Sequence, residues 1–72
     1  MIEDKKLAVC YVTAGSPEEA NKISDHLVQA KLAACVNMVQ GVQSTYLWEG
    51  KINHDQEVLL IIKTRVSLLA KI

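Results

Sequence analysis

The chain contains no phenylalanine, and its aromatic residues amount to two tyrosines and one tryptophan among 72 positions. An RNA-recognition sheet stacks bases on central-strand aromatics. The apolar run Leu59-Leu60-Ile61-Ile62 offers none. Glycine is limited to Gly15, Gly41 and Gly50, which lie too far apart to form a phosphate-cradling loop, and no Gly-x-Ser-x-Gly elbow occurs. Charge of one sign is also missing. Eight Lys or Arg balance eight Asp or Glu, which removes the electrostatic footprint expected of a nucleic-acid or acidic-membrane binder. The two cysteines, Cys10 and Cys35, make neither a CxxC pair nor a disulfide framework, and no apolar signal core follows the charged start Glu3-Asp4-Lys5-Lys6, so a reduced, cytoplasmic setting is expected. The longest stretch without a charge, Leu32 to Trp48, includes Asn37, Gln40, Gly41, Gln43 and Ser44. It is too polar for a membrane span, and a soluble chain without membrane insertion is expected.

What is present is a legible order of elements in a chain short enough for one domain, 1–72, that buries only ~60% of its unfolded surface. A first strand covers about 7–13. Leu7, Val9 and Tyr11 face one way and Ala8, Cys10 and Val12 the other, and the apolar character of both sets predicts a strand interior to a sheet. Ser16 to Glu19 has capping-box spacing, and Pro17 suits the first helical position, so a helix is predicted over about 17–31. Its apolar positions Ala20, Ile23, Leu27 and Ala30 place it on one face of the sheet. Strands at about 34–48 and 52–64 form a hairpin closed by Glu49-Gly50, with Gly41 marking a bulge. The run from Val58 to Ile62 reads as buried on both faces. Ser67 is the expected cap of a second helix, of which Leu68 to Ile72 is the beginning.

This order predicts an α+β, ferredoxin-like split βαβ unit, with strand one parallel to strand three and strand three between strands one and two; the last strand and the C-terminal helix are lacking. Strand one would then expose an edge, and either partners complete the core or the chain is a fragment of a longer protein. An acylphosphatase-like hydrolase shares the topology but needs an arginine after strand one. That loop is Ala14-Gly15-Ser16-Pro17, and the one arginine is Arg65.

Four residues stand out as binding or interface candidates. Tyr46 and Trp48 share one strand face and suit a subunit interface. Lys63, beside Ile61 and Ile62, must snorkel, hold an anionic ligand or pair with a carboxylate. Glu57 shares its face but lies roughly 20 Å along the strand, so a neighbouring subunit is the expected source of that carboxylate. Cys35, among Ala33, Ala34 and Val36, reads first as a small buried hydrophobe, as does Cys10. A metal site shared by both sulfurs is disfavoured because strand three separates them. His54, Asp55 and Glu57 offer ligand chemistry, yet beyond a hairpin turn they read as solvated groups, and His26 as a helix-surface residue.

The segments Leu32-Ala33-Ala34-Cys35-Val36-Asn37, Tyr46-Leu47-Trp48-Glu49-Gly50-Lys51-Ile52 and Glu57-Val58 through Ile62-Lys63-Thr64 resemble the CutA divalent-cation tolerance family in order and spacing. The resemblance implies a PII-like subunit of a tight homotrimer built through long strands, and binding rather than catalysis. It also implies a link to copper and other divalent metals in bacterial members and to acetylcholinesterase anchoring in animal members. Two features depart from the family. Val12 stands where copper-binding members have a cysteine before the Thr-Ala step, with Cys10 two residues earlier, and the family's His-Pro-Tyr motif is not found. The metal ligands are therefore not carried over. The alternative readings are a PII-like module binding a small anionic effector and an animal-type assembly factor associated with acetylcholinesterase anchoring.

Overall fold

The computed structural model describes residues 6–72, so the charged start Glu3-Asp4-Lys5 lies outside the described residues. Strand β1 (Leu7–Ala14) leads to helix α1 (Pro17–Gln29), then to strands β2 (Cys35–Trp48) and β3 (Lys51–Arg65) and a terminal 3₁₀ segment (Val66–Lys71). The sheet order is β1-β3-β2, with β3 in the centre as the split βαβ reading requires.

Strand direction differs from expectation. β1 runs antiparallel to β3, with Leu7 opposite Arg65 and Ala14 opposite Val58. The reason is topological: α1 carries the chain back across the sheet so that β2 starts in the same direction as β1, and the tight hairpin then reverses β3 against both. Two other expectations also change. The terminal segment is capped at Arg65 without a side-chain bond, not at Ser67. β1, read as interior from its own composition, is an edge strand among the described residues, as the order of elements implied, and its apolar outer set is uncovered.

Helix α1 begins as its sequence dictates. Ser16 is extended, its hydroxyl accepts from the Glu19 amide at 3.2 Å, and Pro17 occupies the first turn. Its end is a Schellman arrangement. The Leu32 amide donates to the Leu27 carbonyl at 2.9 Å and the Lys31 amide to the Val28 carbonyl at 3.1 Å, which forces Lys31 to φ 60°. This turn stops the helix at Gln29 and leaves Ala30 exposed.

The core lies between α1 and one face of the sheet. Ala20 and Leu27 of the helix, with Ala33, meet Ala14, Val58, Leu60 and Ile62, and Cys10, Val12, Ile23, Val36 and Met38 pack around them. Thr64 is buried there, and its hydroxyl donates to the Leu32 carbonyl at 2.6 Å, tying the end of β3 to the loop before β2. On β3 only alternate residues are fully enclosed. Leu59 and Ile61 are half-buried, because the helix covers a single face.

Past Val58 the register of β1 ends, and β2 and β3 continue as a two-stranded arm, Val42–Trp48 against Lys51–Glu57. One extra residue in β2 between Val39 and Val42, at Gly41 with φ 80°, makes the bulge expected there. Glu49 and Gly50, at φ 49° and 77°, close the arm as a two-residue turn of the primed kind. The arm accounts for the 51 × 24 × 15 Å dimensions and for a radius of gyration of 14.6 Å, against ~11 Å for a compact chain of this length.

Because a lysine side chain pays a left-handed penalty that glycine does not, Lys31→Gly should raise stability by up to about 1 kcal/mol. Urea unfolding followed by Trp48 fluorescence checks this.

Candidate functional site

The face of the sheet opposite α1 collects all four candidates. Parity and register place on it Leu7, Val9, Tyr11 and Thr13 from β1, Cys35, Asn37 and Val39 from β2, and Leu59, Ile61 and Lys63 from β3. Across the bulge it continues onto the arm through Val42, Ser44, Tyr46 and Trp48, paired with Glu57, Asp55, Asn53 and Lys51. Leu7 is 80% exposed, Tyr11 69% and Trp48 63%, so this face has an apolar surface with no element of the described residues over it.

Cys35 and Lys63 are direct cross-strand partners at one end of the face. Cys35 is exposed, contrary to the packing expected of it, because its strand position puts it on the side without the helix. Cys10 points the other way and packs against the core, as expected. The two thiols are free, lie on opposite faces and are separated by β3. Lys63 has Val9 and Cys35 on either side in register, and its ammonium group makes no hydrogen bond or ion pair to any described residue.

Tyr46 and Trp48 occupy the far end, on the arm. The Tyr46 phenol donates to Asp55 Oδ2 at 2.7 Å. That bond, with lesser contributions from desolvation and the Asp55 and Glu57 charges, holds the Tyr46 pKa above its ordinary 10.0. His54 faces the opposite side of the arm, where Gln43 Nε2 and Thr45 Oγ1 lie 2.9 and 3.1 Å from its Nδ1. Alternation therefore turns His54 away from Asp55 and Glu57, and the three do not converge. Among the described residues no group of three or more His, Cys, Asp or Glu side chains is placed to hold a metal ion.

Sequence reasoning missed Leu7, Val9 and Tyr11 as site residues and Asp55 as the partner of Tyr46. The i, i+2 parity that grouped Tyr46 with Trp48 also groups Asp55 with Glu57, and was the available signal. A second feature is a groove of about 680 Å³ at the end of the sheet, lined by Val28, Ala33 and Leu68 together with Lys31, Lys63 and Arg65.

A three-stranded antiparallel sheet backed by one helix, extended by a long arm and, among the described residues, uncovered on its other face, defines an α+β fold of ferredoxin-like type. The comparison with known families is specific. The model of the CutA1 divalent ion tolerance protein family matches residues 8–72, and the chain belongs to that family. It is 57% identical over 61 residues to chloroplastic CutA of Arabidopsis thaliana, covering 85% of this chain and 34% of that one. It is 44% identical over 64 residues to the divalent-cation tolerance protein CutA of Thermus thermophilus, covering 89% and 62%. The crystal structure of CutA1 from Oryza sativa superposes with a TM-score of 0.91 at 47% identity, over 94% of this chain and 62% of that one. The chain thus spans about a third of the plant relative's length and about three-fifths of the bacterial one's.

Since Tyr46 has a raised folded pKa, its bond to Asp55 stabilises the arm below pH 10.0 and is lost as pH rises through the higher folded value. In a Tyr11→Phe background, Asp55→Asn should move the phenolate absorbance titration of Tyr46 down toward 10.0.

Proposed function

We propose that the chain works by assembly and binding rather than by catalysis, as the subunit of a homotrimer serving divalent-metal tolerance and homeostasis, copper included, in the cytoplasm. The observation that carries the reading is the uncovered sheet face. Leu7, Val9, Tyr11 and Val39 are exposed on one contiguous surface that continues to Tyr46 and Trp48. Monomeric proteins rarely leave such a patch open, and tyrosine and tryptophan at its end are the residue types that anchor interfaces. The two-stranded arm supports the same reading, since an isolated ribbon is marginal in water and gains stability when laid on a partner. Family membership supplies the divalent-cation process. The described residues offer no convergent donor set, so the metal role is advanced for the process and not for a site among them. Two free cysteines on opposite faces support a reducing compartment.

The groove lined in part by Lys31, Lys63 and Arg65 favours a second reading, a PII-like module holding a small anionic effector.

Light scattering behind size exclusion should return a mass three times the 8.0 kDa subunit. Thermal scans in parallel with copper(II) and with ADP separate the two readings, because a ligand selective for the native state raises the midpoint by mass action. An ADP-dependent rise supports the second; a copper-dependent rise supports the first through a site completed between subunits, since no donor set converges among the described residues of one chain.

A further inference from the structure

We propose that Glu57 of one subunit forms an ion pair with Lys63 of the next across the uncovered sheet face. The inference rests on the assembly advanced above and names the contact that would orient it. Lys63 and Glu57 lie on the same face of β3, six residues apart, which at ~3.3 Å per residue puts them about 20 Å from one another in one chain. They cannot meet within a subunit. Neither side chain makes a hydrogen bond or ion pair to any described residue; the bond of Lys63 is through its backbone carbonyl, which accepts from the Ala34 amide at 2.9 Å. Asp55, the other carboxylate on that face of the arm, is already engaged by the Tyr46 phenol at 2.7 Å.

Their surroundings make the lack of partners consequential. Glu57 is half-buried opposite Val42 at the root of the arm, and Lys63 is flanked in register by Val9 and Cys35 at the body's far end. Covering this face with apolar surface would desolvate both groups, and a buried charge without a counter-charge is strongly unfavourable. A second copy laid with its arm over the body of the first supplies the counter-charge at both places. Each subunit gives one carboxylate from its arm and receives one at its body, a head-to-tail contact that closes into a ring under rotation. Lys63 and Glu57 lie at separate places on this face, so the pair selects this register over one that brings two lysines or two carboxylates together.

The test mixes ¹⁴N-labelled and ¹⁵N-labelled chains, allows exchange, couples carboxylates to amines with a zero-length carbodiimide and identifies the joined peptides by mass spectrometry. A Glu57–Lys63 linkage carrying one label from each chain is expected. In parallel, Lys63→Glu and Glu57→Lys should each weaken assembly by roughly tenfold or more, and the double reversal should return it to within about threefold of the parent, as coupled charge pairs at interfaces do. A trimer that yields no mixed-label Glu57–Lys63 linkage overturns the ion pair and leaves the assembly standing. A chain that stays monomeric overturns both.

Discussion

The structure depends on a sheet that, among the described residues, is covered on one side only. β3 sits in the middle of it, and its alternation divides the molecule. Val58, Leu60, Ile62 and Thr64 turn into the layer shared with α1, while Leu59, Ile61 and Lys63 turn to the open side. A chain of this length has little surface to spare for burial, and one helix supplies only Ala20, Leu27 and part of Ile23 to the core. The remaining apolar surface of β1 and β2 stays available for another molecule. Every candidate residue lies on the side that this division leaves uncovered.

The arm follows from the same arrangement. Where β1 stops at Ala14, β2 and β3 continue together, and the bulge at Gly41 gives the pair a local kink as it leaves the body. The arm is polar and apolar on both sides. Tyr46 and Trp48 lie on the open face, whereas Leu47 and Ile52 face the other way at 71% and 69% exposure. A projecting ribbon with large apolar side chains on two faces is suited to contact with a partner, and its Tyr46–Asp55 bond stiffens it where the aromatics are displayed.

Much of this was legible in the residues. Ser16, Pro17 and the 3–4 spacing of Ala20, Ile23 and Leu27 determine the helix locally, and Glu49-Gly50 and Gly41 determine the turn and the bulge through backbone conformations that few residues adopt readily. The sheet order followed from the element sequence. The misreadings share a physical cause. An apolar strand looks the same whether its second face is covered by its own chain or left for another, so Leu7, Val9 and Tyr11 read as interior and Cys35 as buried. The extent of cover is set by how many helices lie on the sheet, which strand composition does not encode. The direction of β1 was inferred from the order of strands without following the reversals that α1 and the hairpin impose. Lys63 was recognised because a charge beside Ile61 and Ile62 contradicts its surroundings. Glu57 was legible as a carboxylate on the face of Lys63, whereas the engagement of Asp55 by Tyr46 was not.

The central claim is that the open sheet face is covered by further copies of the chain. Hydroxyl-radical footprinting across a dilution series tests it most directly, since it reports which side chains lose contact with water as concentration rises. Tyr11 and Trp48 should become protected with increasing concentration, while His26 on the exposed side of α1 keeps its reactivity. Equal reactivity of Tyr11 and Trp48 at every concentration, or protection on the helix side instead, would contradict the account.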